Sequence, residues 1–258
     1  MTDQTAILAD RLRAGETVLS AWSTIAEPIL GETMGRAGYG AVTLDMQHGL
    51  HNTDSIARGI VGLTAAGVPA VVRVPVGDFA MASRAIDFGA AAVIAPMINS
   101  VEDAQRFVEF MKFPPVGGRS WGPQRAVALH GSDIGSYLAD ANDRTLAFGM
   151  IETREAMDAL DDILAVEGID GVFVGPSDLS IALTGAAAVD AQGEGTKQAA
   201  AAIAARARDA GRTAAIFCSS MEHATWAREA GFRFIAYGVD SALLASSSRD
   251  IVEGFLER

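Results

Sequence analysis

Six side chains able to do chemistry stand at or just after the ends of short apolar runs. They are Asp45 and His48 in "AVTLDMQHGL", Arg73 in "AVVRVP", Glu152 in "LAFGMIE", and Ser177 and Asp178 in "GVFVGPSDLS". Glu152 and Asp178 form the sharpest pair. Alternation along "FGMIE" puts Phe148, Met150 and Glu152 on one strand face, and Asp178 leaves the next run; neighbouring strands lie about 4.8 Å apart. Two carboxylates that close repel unless a proton or a cation sits between them. Hard oxygen donors without a Cys or His cluster suit Mg2+ or Mn2+, with water or substrate completing the coordination. Read singly, Glu152 is a helix-start charge and Asp178 a helix cap; read together, they are metal ligands.

Arg73 shares a strand face with Val71, and a guanidinium near an interior is costly unless paired. It is either the ion-pair partner of a nearby acid or a clamp for a substrate carboxylate, which its planar fork matches. Asp45 shares a face with Thr43 and Ala41, and His48 follows on the loop. A carboxylate bonded to one ring nitrogen of His48 fixes its tautomer and raises its basicity, leaving the other nitrogen as a general base. A structural histidine is the alternative. Trp22 and Trp121 lie near strand ends and are expected to wall a pocket, while Trp226 reads as helix packing. Arg119 and Arg125, in the glycine-rich "PPVGGRSWGPQRA", either meet a second anionic group of the substrate or serve an interface. Cys218 reads as a small core residue, His130 and His223 as solvated, and His51 has no assigned role.

Eight apolar runs carry these residues: 18–22, 41–45, 70–75, 92–97, 146–152, 171–176, 213–218 and 234–239. Near-continuous apolar runs are the mark of buried parallel strands. Helix signals separate them, with caps expected at Thr53, Asp78, Ser100 and Thr153, an amphipathic helix over 1–16, and a loop then a helix across the alanine-rich 186–210. Eight strands alternating with helices in 258 residues match a (β/α)8 TIM barrel, which typically takes about 250. A doubly wound sheet is the competing fold, but "AWSTIAEP" lacks the GxGxxG signature at the first strand–helix junction. No linker divides the chain, so residues 1–258 are expected to form a single domain. In a barrel the chemistry sits at the C-terminal strand ends, where the six polar side chains fall.

Lys and Arg number 20 against 32 Asp and Glu, a formal charge of -12. That balance disfavours a nucleic-acid partner. No apolar stretch approaches the roughly 20 residues of a membrane span, and no signal peptide opens the chain. One cysteine precludes an internal disulfide and fits a reducing compartment, so a cytoplasmic protein is expected.

"DMQHG", "VVRVP", "FPPVGGRSWGPQRA", "IETREAMDALDDILAVEGIDGVFVGPSDLS" and "YGVDSALL" together resemble the HpcH/HpaI family of metal-dependent pyruvate aldolases. The resemblance implies a (β/α)8 barrel whose last helix is swapped between subunits, assembled as a hexamer (a trimer of dimers). By position it assigns Glu152 and Asp178 to the metal and Arg73 to the 2-oxo acid. His48, with Asp45, corresponds to the dyad that handles the proton of the aldol hydroxyl. The main chain at Gly175, Pro176, Ser177 and Asp178 corresponds to the turn receiving the pyruvate carboxylate. The implied reaction is reversible cleavage of 4-hydroxy-2-oxo acids to pyruvate or hydroxypyruvate and an aldehyde, with Mg2+, Mn2+ or Co2+ and no organic cofactor. Lys112 and Lys197 are the only lysines and neither ends a strand, which argues against a Schiff-base aldolase. The alternatives are a citrate-lyase-like enzyme acting on a CoA thioester, a sugar-phosphate isomerase and a non-catalytic metal-binding barrel. The isomerase lacks its glycine-rich phosphate loop in "FCSSMEH" and "YGVDSA". Gln47 and Met150 depart from family members with Glu and Gln there, which marks Gln47 as a place to look for substrate preference.

Overall fold

The computed structural model describes residues 4–256; residues 1–3 of the expected N-terminal helix and the last two of the chain lie outside the described residues. Among these, the strands are β1 (Val18–Ser23), β2 (Ala41–Asp45), β3 (Ala70–Arg73), β4 (Ala92–Ala95), β5 (Leu146–Ile151), β6 (Gly171–Val174), β7 (Thr213–Phe217) and β8 (Phe234–Val239). They close, in sequence order and all parallel, into one barrel. The first helices are α1 (Gln4–Arg13), α2 (Pro28–Arg36), α3 (Thr53–Ala66), α4 (Phe79–Phe88) and α5 (Val101–Met111). Two more, α6 (Gln124–His130) and α7 (Ile134–Arg144), precede β5, and α8 (Arg154–Asp158) and α9 (Leu160–Ala165) follow it. The chain finishes with α10 (Pro176–Thr184), α11 (Glu194–Asp209), α12 (Met221–Glu229) and α13 (Asp240–Leu256). The expected (β/α)8 architecture is the observed one.

Period-2 alternation sorts each strand between two cores. Val42, Leu44 and Val72 face the helices, while Ala41 and Val71 face the barrel axis with Phe148, Phe173 and Phe234. Inside, the three phenylalanines are offset by Ala92, Ala215 and Ala236, large against small, which fills a tapering interior without voids. Phe148 and Phe234 stack at 5.8 Å. Leu8 and Leu12 of α1 join this inner cluster and cover the N-terminal strand ends, so the only open end is the one carrying the polar residues.

Three strands stop two residues short of the expected runs. Pro75, Pro96 and Pro176 lie just beyond β3, β4 and β6, and proline has no N–H for a ladder; Pro176 instead opens α10. Asp78, Ser100 and Thr153 cap their helices as expected. The cap of α3 is Asn52 rather than Thr53, because the Asn52 side chain reaches the N–H groups of Asp54 and Ser55 and Ser55 closes a capping box. His130 and His223 are buried, not solvated: His130 lies under Gly89 and His223 packs on Trp226 at 5.4 Å. Cys218 is a buried core residue, and burial pushes its thiol up to about 12. No described helix is long and apolar enough to cross a membrane.

The last helix does not pack like the others. Beyond Asp240 every described residue of α13 is exposed, including Ile251, Val252, Phe255 and Leu256. Leu19, on the outer side of β1, is left 37% exposed.

Candidate active site

The barrel register builds the site. Asp45 ends β2 opposite Arg73 at the end of β3, and both face the barrel interior. Their side chains meet in a two-point ion pair: Arg73 Nε donates to Asp45 Oδ1 at 2.8 Å and Nη2 to Oδ2 at 2.6 Å. Trp22 Nε1 donates to the same carboxylate at 3.2 Å, and its ring lies 4.8 Å beneath the guanidinium. The N–H groups of Gln47 and His48 also point at Asp45 Oδ1. Burial alone would raise the Asp45 carboxyl, but the Arg73 bonds and charge, with the Gln47 and Trp22 N–H groups, hold it below the usual carboxylate range.

This arrangement corrects one expectation. Asp45 does not hydrogen-bond the His48 ring; both its oxygens are taken by Arg73, and it reaches His48 only through the backbone N–H. The His48 ring receives no hydrogen bond from a described residue, is exposed, and lines the pocket at the barrel mouth.

The second corner is built by β5 and β6, paired through Ile151 and Val174. Glu152 follows β5 and is buried at 2% exposure. Its Oε1 accepts the N–H of Met97 at 2.9 Å, a residue held at φ +57, in the left-handed region. Its Oε2 packs on Gly175, where a Cβ would collide with it, so the close approach requires glycine there. Burial pushes the Glu152 carboxyl up to about 7; the Met97 N–H opposes this, the Asp178 charge adds to it, and the Arg73 charge opposes it. Asp178 is the third residue of α10, after Pro176 and Ser177. No side chain caps this helix start, and the first N–H groups of a helix lack internal partners.

Trp22, Asp45, His48, Arg73, Gly175, Pro176, Ser177 and Asp178 line one cavity of about 290 Å³, with Thr24, Met150, Phe173, Phe217 and Val239 completing it. The donor set fits a hard divalent cation. Glu152 is a buried carboxyl whose charge is poorly offset, Asp178 is an exposed carboxylate lining the cavity, and among the described residues no cluster of three or more His, Cys, Asp and Glu side chains forms a closed cage. Water or substrate oxygens would fill the remaining positions, as Mg2+ prefers.

Three expected pocket residues are elsewhere. Arg125 is exposed on α6. Trp121 and Arg119 line a separate cleft of about 420 Å³ between α4, α5 and the glycine-rich loop. There Arg119 is buried, pairs with Asp87 at 2.5 Å and lies over the Phe113 ring, so tertiary packing and not substrate holds it. Gln47 does not line the mouth; its Oε1 is buried without a partner among the described residues. Conversely, Phe217 shares its strand face with Ala215, so alternation could have found it, whereas no sequence signal marks Met97 as the backbone donor to Glu152.

The family model described as HpcH/HpaI aldolase/citrate lyase matches residues 19–247. A protein of Rhizorhabdus wittichii named hydroxypyruvate/pyruvate aldolase is 35% identical over 92% of this chain and 94% of its own length. One of Roseovarius nubinhibens with the same name is 36% identical over 92% of each. The crystal structure of an HpcH/HpaI aldolase from Desulfitobacterium hafniense superposes with a TM-score of 0.90, at 25% identity and 98% coverage of both chains.

Proposed function

This chain belongs to the HpcH/HpaI aldolase/citrate lyase family, and from that premise we propose that it is a divalent-metal-dependent aldolase. It cleaves 4-hydroxy-2-oxo acids to pyruvate or hydroxypyruvate and an aldehyde, or joins them. The observation that carries this reading is the buried Glu152 carboxyl, raised by burial and by the Asp178 charge and packed on Gly175, behind a cavity that Asp178, Arg73 and the uncapped start of α10 line.

Glu152 and Asp178 would hold a divalent cation, which would supply Lewis-acid stabilisation of negative charge on the 2-oxo acid. The free N–H groups at Ser177 and Asp178 receive the substrate carboxylate, where the helix start favours an anion. Arg73, fixed by Asp45 and Trp22, adds positive charge at the oxo end. His48 takes the C4 hydroxyl proton as the aldehyde departs. Its ring is exposed at the cavity and is not bonded to Asp45. The acceptor side of the cavity is walled by Trp22, Phe173, Phe217 and Val239, which suits an apolar aldehyde. Lys112 is buried against Asp170 and the carbonyls of Asn142 and Thr145 and Lys197 lies over the Trp226 ring, so neither lysine lines the cavity to form a Schiff base.

The exposed apolar residues of α13 and the open outer face at Leu19 support a last helix exchanged between subunits of a homo-oligomer, a trimer of dimers. Mg2+ or Mn2+ suits the oxygen donors, and a reducing, cytoplasmic setting suits the single buried thiol. A panel of 2-oxo acids and aldehydes, run with Mg2+, Mn2+ and Co2+ on wild type and Glu152→Ala, tests the reading. Metal-dependent pyruvate release by wild type alone is expected; full activity after EDTA treatment overturns it.

A further inference from the structure

One buried polar cluster at the rim is not used by this chemistry. His51 closes the loop that carries His48 and is 6% exposed. Its Nε2 lies 3.0 Å from Ser23 Oγ on β1, and its Nδ1 lies 3.1 Å from Ser55 Oγ on α3. Ser23 Oγ in turn donates to Asp240 Oδ2 at 2.9 Å. Asp240, the first residue of α13, also accepts from the N–H groups of Thr24, Ile25 and Ser241 and from the Thr24 hydroxyl. Burial would raise its carboxyl, but these bonds together hold it below the usual range, so it is an ionised acceptor.

Proton counting then gives the cluster a direction. An ionised carboxylate only accepts, so the single Ser23 hydroxyl proton goes to Asp240. Ser23 Oγ must therefore accept from His51 Nε2–H. In a neutral ring the other nitrogen is an acceptor, so of the two acceptors 3.1 Å from the Ser55 hydroxyl, His51 Nδ1 and Asn52 O, the ring nitrogen takes its proton, while Ser55 Oγ accepts the Asn52 N–H at 2.9 Å. The neutral form agrees with burial, which lowers the ring against the charges of Asp240 and Asp45.

The loop is thus pinned at both ends. At its start, Asp45 holds the Gln47 and His48 N–H groups. At its end, Leu50 N–H bonds Thr24 O at 2.7 Å, and Gly49 is pressed so close to Asp45 O that a Cβ would not fit. Among the described residues, His51 ties this end to β1 and α3 at once through its side chain. We propose that His51 is a positioning residue for His48, clamping the end of its loop between Ser23 and Ser55 with Asp240 as the anchor. This rests on the reading of His48 as the proton-handling group.

The test measures pyruvate release from 4-hydroxy-2-oxovalerate with Mg2+, in the wild type, His51→Ala, His51→Gln and His48→Ala chains and the His48→Ala/His51→Ala double variant. His51→Ala lowers kcat about ten- to a hundredfold, the scale of a small misplacement of a reacting group, with KM within about threefold of wild type. Gln can still donate to Ser23, so His51→Gln recovers most of the loss. In the His48→Ala background, His51→Ala costs nothing further. Unchanged kcat in folded His51→Ala, or the same loss with and without His48, overturns the proposal. Wild-type kcat in His48→Ala instead overturns the reading beneath it. Should His51→Ala not fold, Ser23→Ala and Ser55→Ala each remove one hydroxyl of the clamp and are expected to show the same pattern at smaller size.

Discussion

Asp45 and Glu152 are carboxylates at the same barrel rim, buried to 1% and 2% exposure, and they titrate in opposite directions. Burial costs both of them alike. Asp45 recovers that cost from two guanidinium bonds, an indole N–H and two backbone N–H groups. Glu152 has one backbone N–H, a glycine against its second oxygen and a second carboxylate nearby. The first corner is electrically complete and acts as a frame that orients Arg73. The second is short of positive charge, which a bound cation would supply.

The largest expected effect separates the two corners by function. Asp178→Asn or Glu152→Gln should lower kcat/KM about a thousandfold or more, the scale of several kcal/mol of lost charge stabilisation. Calorimetric titration with Mn2+ should show binding lost in both variants. Stability should then move in opposite directions. Asp45→Asn strands the buried Arg73 charge and should cost about 3–5 kcal/mol in denaturant unfolding, whereas Glu152→Gln should stabilise the metal-free protein. A destabilised Glu152→Gln would break the contrast.

The pH dependence carries the same signature. The Glu152 carboxyl is raised from 4.5 to about 7 on folding, so between those values the folded chain holds a proton that the unfolded chain has released. Metal-free stability should therefore fall as pH rises through that window, and Mg2+ or Glu152→Gln should remove the slope in thermal melts. The depressed Asp45 carboxyl works the other way: its contribution is present above the ordinary carboxylate range and lost as pH falls through its folded value. The smallest effect is expected at Arg125, exposed on α6. Arg125→Ala should leave kcat/KM within about twofold, and a large loss would place a second copy's α6 at the cavity.

Much of this was legible in the chain. Alternation named the inward faces of β2, β3 and β5, and therefore put Asp45, Arg73 and Glu152 inside the barrel mouth. The proline positions would have trimmed β3, β4 and β6 by two residues each, had they been weighed as ladder breakers. The misreadings are all in loops and pairings. Sequence proximity pairs Asp45 with His48, three residues away, but its partner Arg73 lies across a strand register. The glycine-rich loop suggests a pocket role for Arg125, and nearness to a strand end suggests one for Trp121, but both lie away from the cavity. His51, His130 and His223 carry no local mark that distinguishes a buried imidazole from a solvated one.

The sequence by itself determined the eight strands and the end of the barrel where polar groups gather, because period-2 burial and helix caps are local properties of the chain. Only the tertiary structure decided which partner each polar group takes. Barrel closure brings Asp45 to Arg73, Met97 N–H to Glu152, and Asp240 through Ser23 to His51, across separations of 28, 55 and 217 residues. Whether a buried charge ends up matched, as at Asp45, or left for a cation, as at Glu152, depends on those long-range neighbours.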